Sequence, residues 1–480
     1  MAYRDGPPAQ ATQTRALGPL DRIFLLAESD RTMLHVAALL KFSPPENTSD
    51  GYLRALADEV RSEVAVMPPW NLKLALPQLG PAPFQRWVTS ENIDLEYHVR
   101  RSALPQPGDE RELGTLISRL HGRQLDLTRP PWEMHLIEGF ADGGFAMYVK
   151  MHHALIDGYT GMKLLRESLS TDKSDTKSPI LFATPPKVPR APQERTAPTP
   201  PSLPGQLLSS LRVGLTDAQA LGVALMNVAP RRGHTDLVGP LHAPSTMFNK
   251  RIGRNRRFAT QQLDLDAIRT LGRKHDASVN DVALSLLGGS LRRYLRELNQ
   301  LPQKPLIAFL PVNTRPVGDA GGGNAFGAIL ASLGTHIEDP LERLQAVTIS
   351  TRAAKRQLEG MSQSAALAYG AALLSPMLAQ AAAGAIGVPL PGPFSFNVTV
   401  SNVPGPSEER YFRGSRLEAM YPASVQLDGA ALNVTLLGYA GTLNFGFTGD
   451  RDAVPHLQRL ATMLAEEWAA LELRCGSGES

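Results

Sequence analysis

The chain has 480 residues, 42% of them hydrophobic and 20% charged, with a formal net charge of +3. That length exceeds one comfortable core, so two domains are expected, and the composition is that of a globular protein. So small a net charge gives no argument for a nucleic-acid partner, and a lone cysteine, Cys475, excludes an internal disulfide framework and a cysteine-rich zinc site.

Residues 1–16 are polar, lack the apolar core of a signal peptide and read as a disordered tail. Periodicity predicts a short helix over 20–28, a buried strand over 33–42, a helix over 52–64, a strand over 93–99 and a helix over 112–120. Residues 134–140 and 145–153 are strand-like runs joined by Ala141-Asp142-Gly143-Gly144, which predicts a hairpin. After Gly158 the pattern turns helical, with Met162, Leu164, Leu165 and Leu169 able to line one side.

The hairpin's second strand runs into His152-His153, and Asp157-Gly158 follows. Side chains alternate along a strand, so Phe145, Met147, Val149 and Met151 share a face with His153 if the strand reaches that far. Ala146, Tyr148 and Lys150 share the other face with His152. The two histidines thus point apart and are expected to have different jobs. Ligation of one metal by both is not expected, because no third ligand at a suitable spacing accompanies them. An imidazole titrates near neutrality, which suits proton transfer.

Residues 171–205 hold nine of the 39 prolines and read as a stiff crossover between domains, followed by an apolar helix over 204–228. Five of the eight residues 250–257 are cationic: Lys250, Arg251, Arg254, Arg256 and Arg257. A solvated surface run is one reading; contact with phosphate groups of a nucleotide-bearing substrate, or with anionic lipid, is the other. A strand over 258–265 and a helix over 266–275 capped by Asp266 come next.

Residues 278–298 predict a long helix with Ser278 as N-cap and Asn280 and Asp281 in its first turn. Capping accounts for both residues, and so would a functional role. Strands are expected over 306–312, 321–333 and 394–403, the last stopped by Pro404-Gly405-Pro406, with a helix over 338–358 before it. A terminal hairpin over 430–448 and an amphipathic helix over 455–473 close the chain. The alanine-rich stretch 365–390, split by Ser375-Pro376, is either a buried helix pair or a helix that dips into lipid. No stretch is long and apolar enough to span a membrane.

The HHxxxDG pattern, His152 to Gly158, resembles the signature of the CoA-dependent acyltransferase superfamily. Further stretches resemble one branch of it, the bacterial bifunctional wax ester synthase/diacylglycerol acyltransferases: LGPLDRIFLLAE with MLHVAAL, PPWEMHLIEGF, SVNDVALSLLGGSLRRYL, LPVNTRP and VSNVPGP. They fall in that family's order over about residues 17–450. The family usually has Pro-Leu-Trp ahead of the hairpin; Pro131 takes the leucine's place here.

The resemblance implies an α/β fold with mixed sheets, in two domains of the chloramphenicol-acetyltransferase type with a tunnel between them. Residues 17–170 would form the N-terminal domain, 171–205 the linker and 206–474 the C-terminal domain, with 475–480 a tail. It implies transfer of a long-chain acyl group from acyl-CoA, a substrate rather than a cofactor, to a fatty alcohol or diacylglycerol. His153 would be the general base and His152 its support. Asp157 would be structural, paired with Arg315, and Gly158 would allow the turn.

An oxyanion intermediate needs donors; Ser401 and Asn402 are candidates, unless they only begin a turn. Contact with the cytoplasmic side of a membrane or with lipid inclusions would be peripheral. No cofactor, metal or nucleic acid is implied, and the oligomeric state stays open. The alternatives are a condensation-type acyltransferase using a carrier-bound donor and a non-catalytic acyl-CoA or lipid-inclusion binding protein.

Overall fold

Alternating apolar side chains and short turns build two mixed sheets, each the centre of its own unit. The computed structural model describes residues 14–183, 237–313, 326–375 and 392–476, apart from 47, 49, 50, 64, 81, 83, 157, 360, 362–364, 367 and 368. By contact the described residues divide into two units. The first is drawn from 1–108, 123–186 and 410–418, the second from 109–122, 187–409 and 419–480. The division is interleaved rather than a single cut at the proline-rich stretch: one helix from the first half groups with the second unit, and 410–418 return to the first.

In chain order the elements are β1 (Thr14–Ala16), α1 (Pro19–Ala27), β2 (His35–Ser43), α2 (Tyr52–Arg61), β3 (Leu72–Leu74), β4 (Arg86–Thr89), α3 (Leu95–His98), β5 (Val99–Ala103) and α4 (Glu110–His121). The hairpin β6 (Trp132–Glu138) and β7 (Phe145–His152) leads into α5 (Gly158–Glu167). There follow β8 (Arg256–Asp264), α6 (Leu265–Lys274), α7 (Val279–Glu297), β9 (Ile307–Asn313), β10 (Phe326–Ser332) and α8 (Pro340–Glu359). The last are β11 (Val398–Val403), β12 (Tyr411–Phe412), β13 (Ser415–Ala423), β14 (Leu432–Tyr439), β15 (Thr442–Asp450) and α9 (Gln458–Gly476).

The main sheet of the first unit has the order β12-β13-β2-β7-β6-β5. β7 lies antiparallel to both β2 and β6, while β5 runs parallel to β6. Every residue of β7 is buried, so this strand is central and its end is held on both sides. The hairpin turn places Gly143 at φ 75°, a left-handed conformation that glycine adopts without strain. A small sheet, β1-β4-β3, completes the unit.

The second unit's sheet has the order β10-β9-β11-β14-β15-β8, with β11 parallel to β9 and β14 and the other pairs antiparallel. Period-two alternation gives it two apolar faces. Ala308, Leu310, Val434 and Phe447 join Val282, Leu286 and Leu344 in the larger core, and Ile307, Phe309, Leu330 and Phe396 pack with Tyr369 and Leu373.

Two sequence expectations need correction. Residues 93–99 are not one strand: Asp94 Oδ1 accepts the Tyr97 N–H at 3.1 Å and caps the helical turn α3, and β5 begins only at Val99. The cap of α6 is Asp264 rather than Asp266, because its Oδ1 accepts the N–H groups of Asp266 and Ala267 at 2.8 and 2.9 Å. The helix expected over 204–228, the proline-rich stretch from 184 and residues 376–390 lie outside the described residues.

Candidate active site

The sequence of β7 puts the paired histidines at the end of a fully buried strand, where the chain must leave the sheet. His152 is the last strand residue. Its N–H donates to the Pro131 carbonyl at 2.9 Å, and the chain then folds back, Leu155 and Ile156 donating to the His152 carbonyl at 2.9 and 3.2 Å. Pro131, the departure from the family pattern, takes part through its carbonyl, which any residue supplies. Trp132 beside it is buried against His98 and Phe182, with ring centroids 4.4 and 5.3 Å away, and donates from Nε1 to the Trp70 carbonyl at 2.7 Å.

His152 is 1% exposed. Its Nδ1 accepts the Ala154 N–H at 3.1 Å, so the neutral ring carries its proton on Nε2. Nε2 lies 3.4 Å from Glu28 Oε2, a polar contact too long for a full hydrogen bond. Directly across the sheet stands His35, also buried.

His153 has left the strand. Its N–H donates to the Leu34 carbonyl at 2.8 Å, and its half-buried ring lies on Phe24 of α1, centroids 4.3 Å apart and planes at 32°. Strand alternation therefore stops one residue short of it. The two rings still part company, one sunk into the unit and one in the turn with partial access to solvent.

Gly158 begins α5, and a Cβ there would meet nothing within 4 Å. Ahead of it the chain folds back through the bonds of Leu155 and Ile156 to the His152 carbonyl. Asp157 and Arg315, expected as a pair, lie outside the described residues.

On the face shared with His152, Lys150 is fully buried opposite Glu133. Lys150 Nζ donates to the Arg123 carbonyl at 2.9 Å and lies 3.4 Å from Glu133 Oε2. Glu133 also has Arg100 Nη2 at 3.4 Å and His135 Nε2 at 3.5 Å. Burial alone would raise the Glu133 pKa, but His135, Lys150 and Arg100 together more than offset it and hold it at about 2. Burial pushes both Lys150 and His135 below their ordinary values. Sequence reasoning passed over Glu133 and Glu28. A carboxylate inside an apolar strand run is a signal for the first, whereas only the fold reveals the second.

The remaining candidates belong to the second unit. Asp281 is 2% exposed and caps α7: its Oδ2 accepts from the Ser278 N–H and hydroxyl at 2.9 and 2.6 Å, and its Oδ1 accepts the Thr351 hydroxyl at 2.6 Å. Asn280 beside it is half-buried. Ser401 is half-buried and Asn402 exposed, both within β11 rather than in a turn.

Of the arginines, Arg254 is exposed and Arg257 half-buried. Arg256 is 4% exposed; its Nη1 donates to the Gly253 carbonyl at 2.7 Å and lies 3.7 Å from Asp450, and burial pulls the guanidinium down to about 10. Its charge is directed inward, which removes it from the candidate phosphate or lipid contacts. Among the described residues no cluster of three or more His, Cys, Asp or Glu could hold a metal ion. A recess of about 390 Å³ lined by Lys41, Phe140, Asp142 and Arg416 lies at the Phe145 end of β7, roughly 23 Å along the strand from the histidines.

Residues 17–283 match the wax ester synthase/diacylglycerol acyltransferase catalytic domain, and residues 322–472 match the WS/DGAT C-terminal domain. The chain is 51% identical over 482 residues to a putative diacylglycerol O-acyltransferase of Mycobacterium tuberculosis, covering 94% of this chain and 96% of that protein. Its fold is similar to that of the wax ester synthase/diacylglycerol acyltransferase from Marinobacter aquaeolei VT8, with a TM-score of 0.76 and 34% identity, covering 96% and 100% of the two chains. The first condensation domain of the calcium-dependent antibiotic synthetase, at 16% identity, a TM-score of 0.56 and 96% and 95% coverage, shares the fold alone. With His152 at the end of a central strand and both domains of the family matched in order, the chain belongs to the wax ester synthase/diacylglycerol acyltransferase family of O-acyltransferases.

Proposed function

We propose that this chain moves a long-chain acyl group from acyl-CoA to the hydroxyl of a fatty alcohol or a diacylglycerol, with His153 as general base. The acceptor oxygen bonds to the thioester carbonyl carbon, the carbon–sulfur bond breaks, and the hydroxyl proton passes to His153 and from it to the departing CoA thiolate. Nε2 takes the proton, since Nδ1 of that ring is buried. The observation that carries the assignment is the contrast within the pair. His152 is sealed in and its Nδ1 lone pair is used by Ala154, whereas His153, on the turn, is only half-buried.

Positioned acid–base catalysis contributes about 10²–10⁴-fold, or roughly 3–5.5 kcal/mol. His153→Ala should lose about that much in kcat with the fold intact. His152→Ala should lose activity through the turn it organises and should also melt at a lower temperature. The assay is release of free CoA from palmitoyl-CoA with hexadecanol or diacylglycerol as acceptor. Near-normal turnover in a folded His153→Ala protein overturns the assignment, and no CoA release by the unmodified chain overturns the acyl transfer itself.

Lipid acceptors make peripheral contact with a lipid surface part of the same reading. Supporting it, Ile23 and Leu26 on α1 and Leu76, Leu79 and Phe84 between β3 and β4 are exposed, and Arg22 Nη1 ties the two segments together by donating to the Ala82 carbonyl at 2.7 Å. Residues 14–27 and 72–87 carry Arg15, Arg22, Lys73 and Arg86 against a single carboxylate, Asp21. An apolar surface with a cationic rim suits an anionic interface. Sedimentation with anionic vesicles should fall several-fold in Leu79→Ser/Phe84→Ser; equal sedimentation would remove this surface from the reading.

A further inference from the structure

The residues that hold the paired histidines come from a distant part of the chain, α1 and its C-terminal cap. Phe24 lies in α1 and Glu28 is the residue that caps its C-terminal end, its N–H donating to the Phe24 carbonyl at 3.1 Å, so the two sit one turn apart. Phe24 lies on the His153 ring. Glu28, its side chain 11% exposed, has Oε2 at 3.4 Å from His152 Nε2 and accepts the Leu34 N–H through the same oxygen at 2.6 Å. The Leu34 carbonyl in turn accepts the His153 N–H at 2.8 Å.

We infer that Glu28 and Phe24 are positioning residues for acyl transfer: the carboxylate of Glu28 fixes His152 and the Leu34 peptide, and through them, with Phe24 beneath the ring, sets the direction of the His153 imidazole. This rests on His153 being the base. One hydrogen bond and one polar contact define the state of the His152 ring. Ala154 takes the Nδ1 lone pair, so the Nε2 proton faces the Glu28 oxygen at 3.4 Å, and the ring has a polar neighbour at each nitrogen. His153 is held at its backbone by Leu34, whose own N–H is bound by Glu28. A general base must meet the acceptor hydroxyl within hydrogen-bond reach, and a displacement near 1 Å costs on the order of 100-fold. None of these residues needs to touch substrate for that loss to appear.

The test is steady-state CoA release by the full chain with palmitoyl-CoA and hexadecanol. Glu28→Ala should lower kcat about 10–100-fold while the KM for palmitoyl-CoA stays within about twofold. Glu28→Gln keeps an oxygen for the Leu34 N–H and should recover kcat to within a few-fold of the unmodified chain. In a His152→Ala background Glu28→Ala should cost less than in the unmodified chain, because only its bond to the Leu34 peptide is left to lose. Should Glu28→Ala not fold, Phe24→Leu, which removes the ring under His153 and leaves the carboxylate in place, should show the same fall in kcat at unchanged KM.

Unmodified kcat in folded Glu28→Ala or Phe24→Leu overturns the inference, as do losses that multiply in the double variant. The two readings fail separately. Activity retained by His153→Ala removes the base itself, whereas an inactive His153→Ala beside a fully active Glu28→Ala removes only the positioning role.

Discussion

A carboxylate at the middle of a buried sheet is sustained only by its neighbours, and Glu133 shows how many it takes. Arg100, His135 and Lys150 converge on it and hold its pKa near 2, below the ordinary 4.5, although burial alone would have raised it. The folded-state pKa is depressed. Its stabilising contribution is therefore complete above about pH 4.5 and is lost as the pH falls through about 2. A shift of that size corresponds to on the order of 3 kcal/mol. At neutral pH Glu133→Gln also strands the Lys150 ammonium in a fully buried site, where losing one partner of a buried pair costs roughly 3–5 kcal/mol. Thermal melts from pH 6 to pH 2 should show a gap between the unmodified protein and Glu133→Gln that narrows toward acid; a gap of constant width would count against the network. The paired histidines were legible in the sequence because HHxxxDG is local. Glu28 and Phe24 were not, since their relation to residues more than a hundred positions away exists only once α1 packs on the end of β7.

Elements with long, regular patterns declared themselves. The β6–β7 hairpin, α7 and the terminal β14–β15 pair lie within a few residues of where alternation and helical spacing put them. Short pieces did not. β3 and β4 have three and four residues, too few for a period to emerge, and α3 is a single capped turn that alternation mistook for strand. The Asn280-Asp281 motif belongs at this scale, because Asp281 is fully engaged in joining two helices. One oxygen closes the capping box with Ser278 at the start of α7, and the other binds Thr351 of α8. Asp281→Ala should lose about 1 kcal/mol of capping and a further ~1–3 kcal/mol for the buried Thr351 hydroxyl left with one fewer partner. The expected outcome is a lower unfolding midpoint in denaturant, with the kcat of the folded fraction within about threefold. A midpoint that does not move while kcat collapses would give Asp281 a direct part in the chemistry instead.

For the whole molecule, the decisive question is whether the acyl group ever rests on the protein. Direct attack by the acceptor alcohol, whose oxygen is the nucleophile, requires a base but no nucleophilic side chain, and the inventory of side chains bears on this. The chain's one cysteine, Cys475, is at the end of α9, half-buried beside the second unit's core, and burial pushes its thiol up from the ordinary value. A nucleophilic cysteine needs the opposite, a thiolate stabilised by its surroundings. Nor does the sequence contain a G-x-S-x-G elbow that would present an activated serine. On the proposal that His153 takes the acceptor's proton, the acyl group passes directly from CoA to the alcohol. Two outcomes follow from that. Cys475→Ala should turn over within about twofold of the unmodified chain, and treatment with a thiol alkylating reagent should leave activity in place. Incubation with palmitoyl-CoA and no acceptor should release no stoichiometric burst of CoA and add no acyl mass to the intact chain. A one-equivalent burst, matched by a palmitoyl increment in protein mass, would mean that a side chain carries the acyl group, and His153 would then be serving a nucleophile rather than the acceptor alcohol.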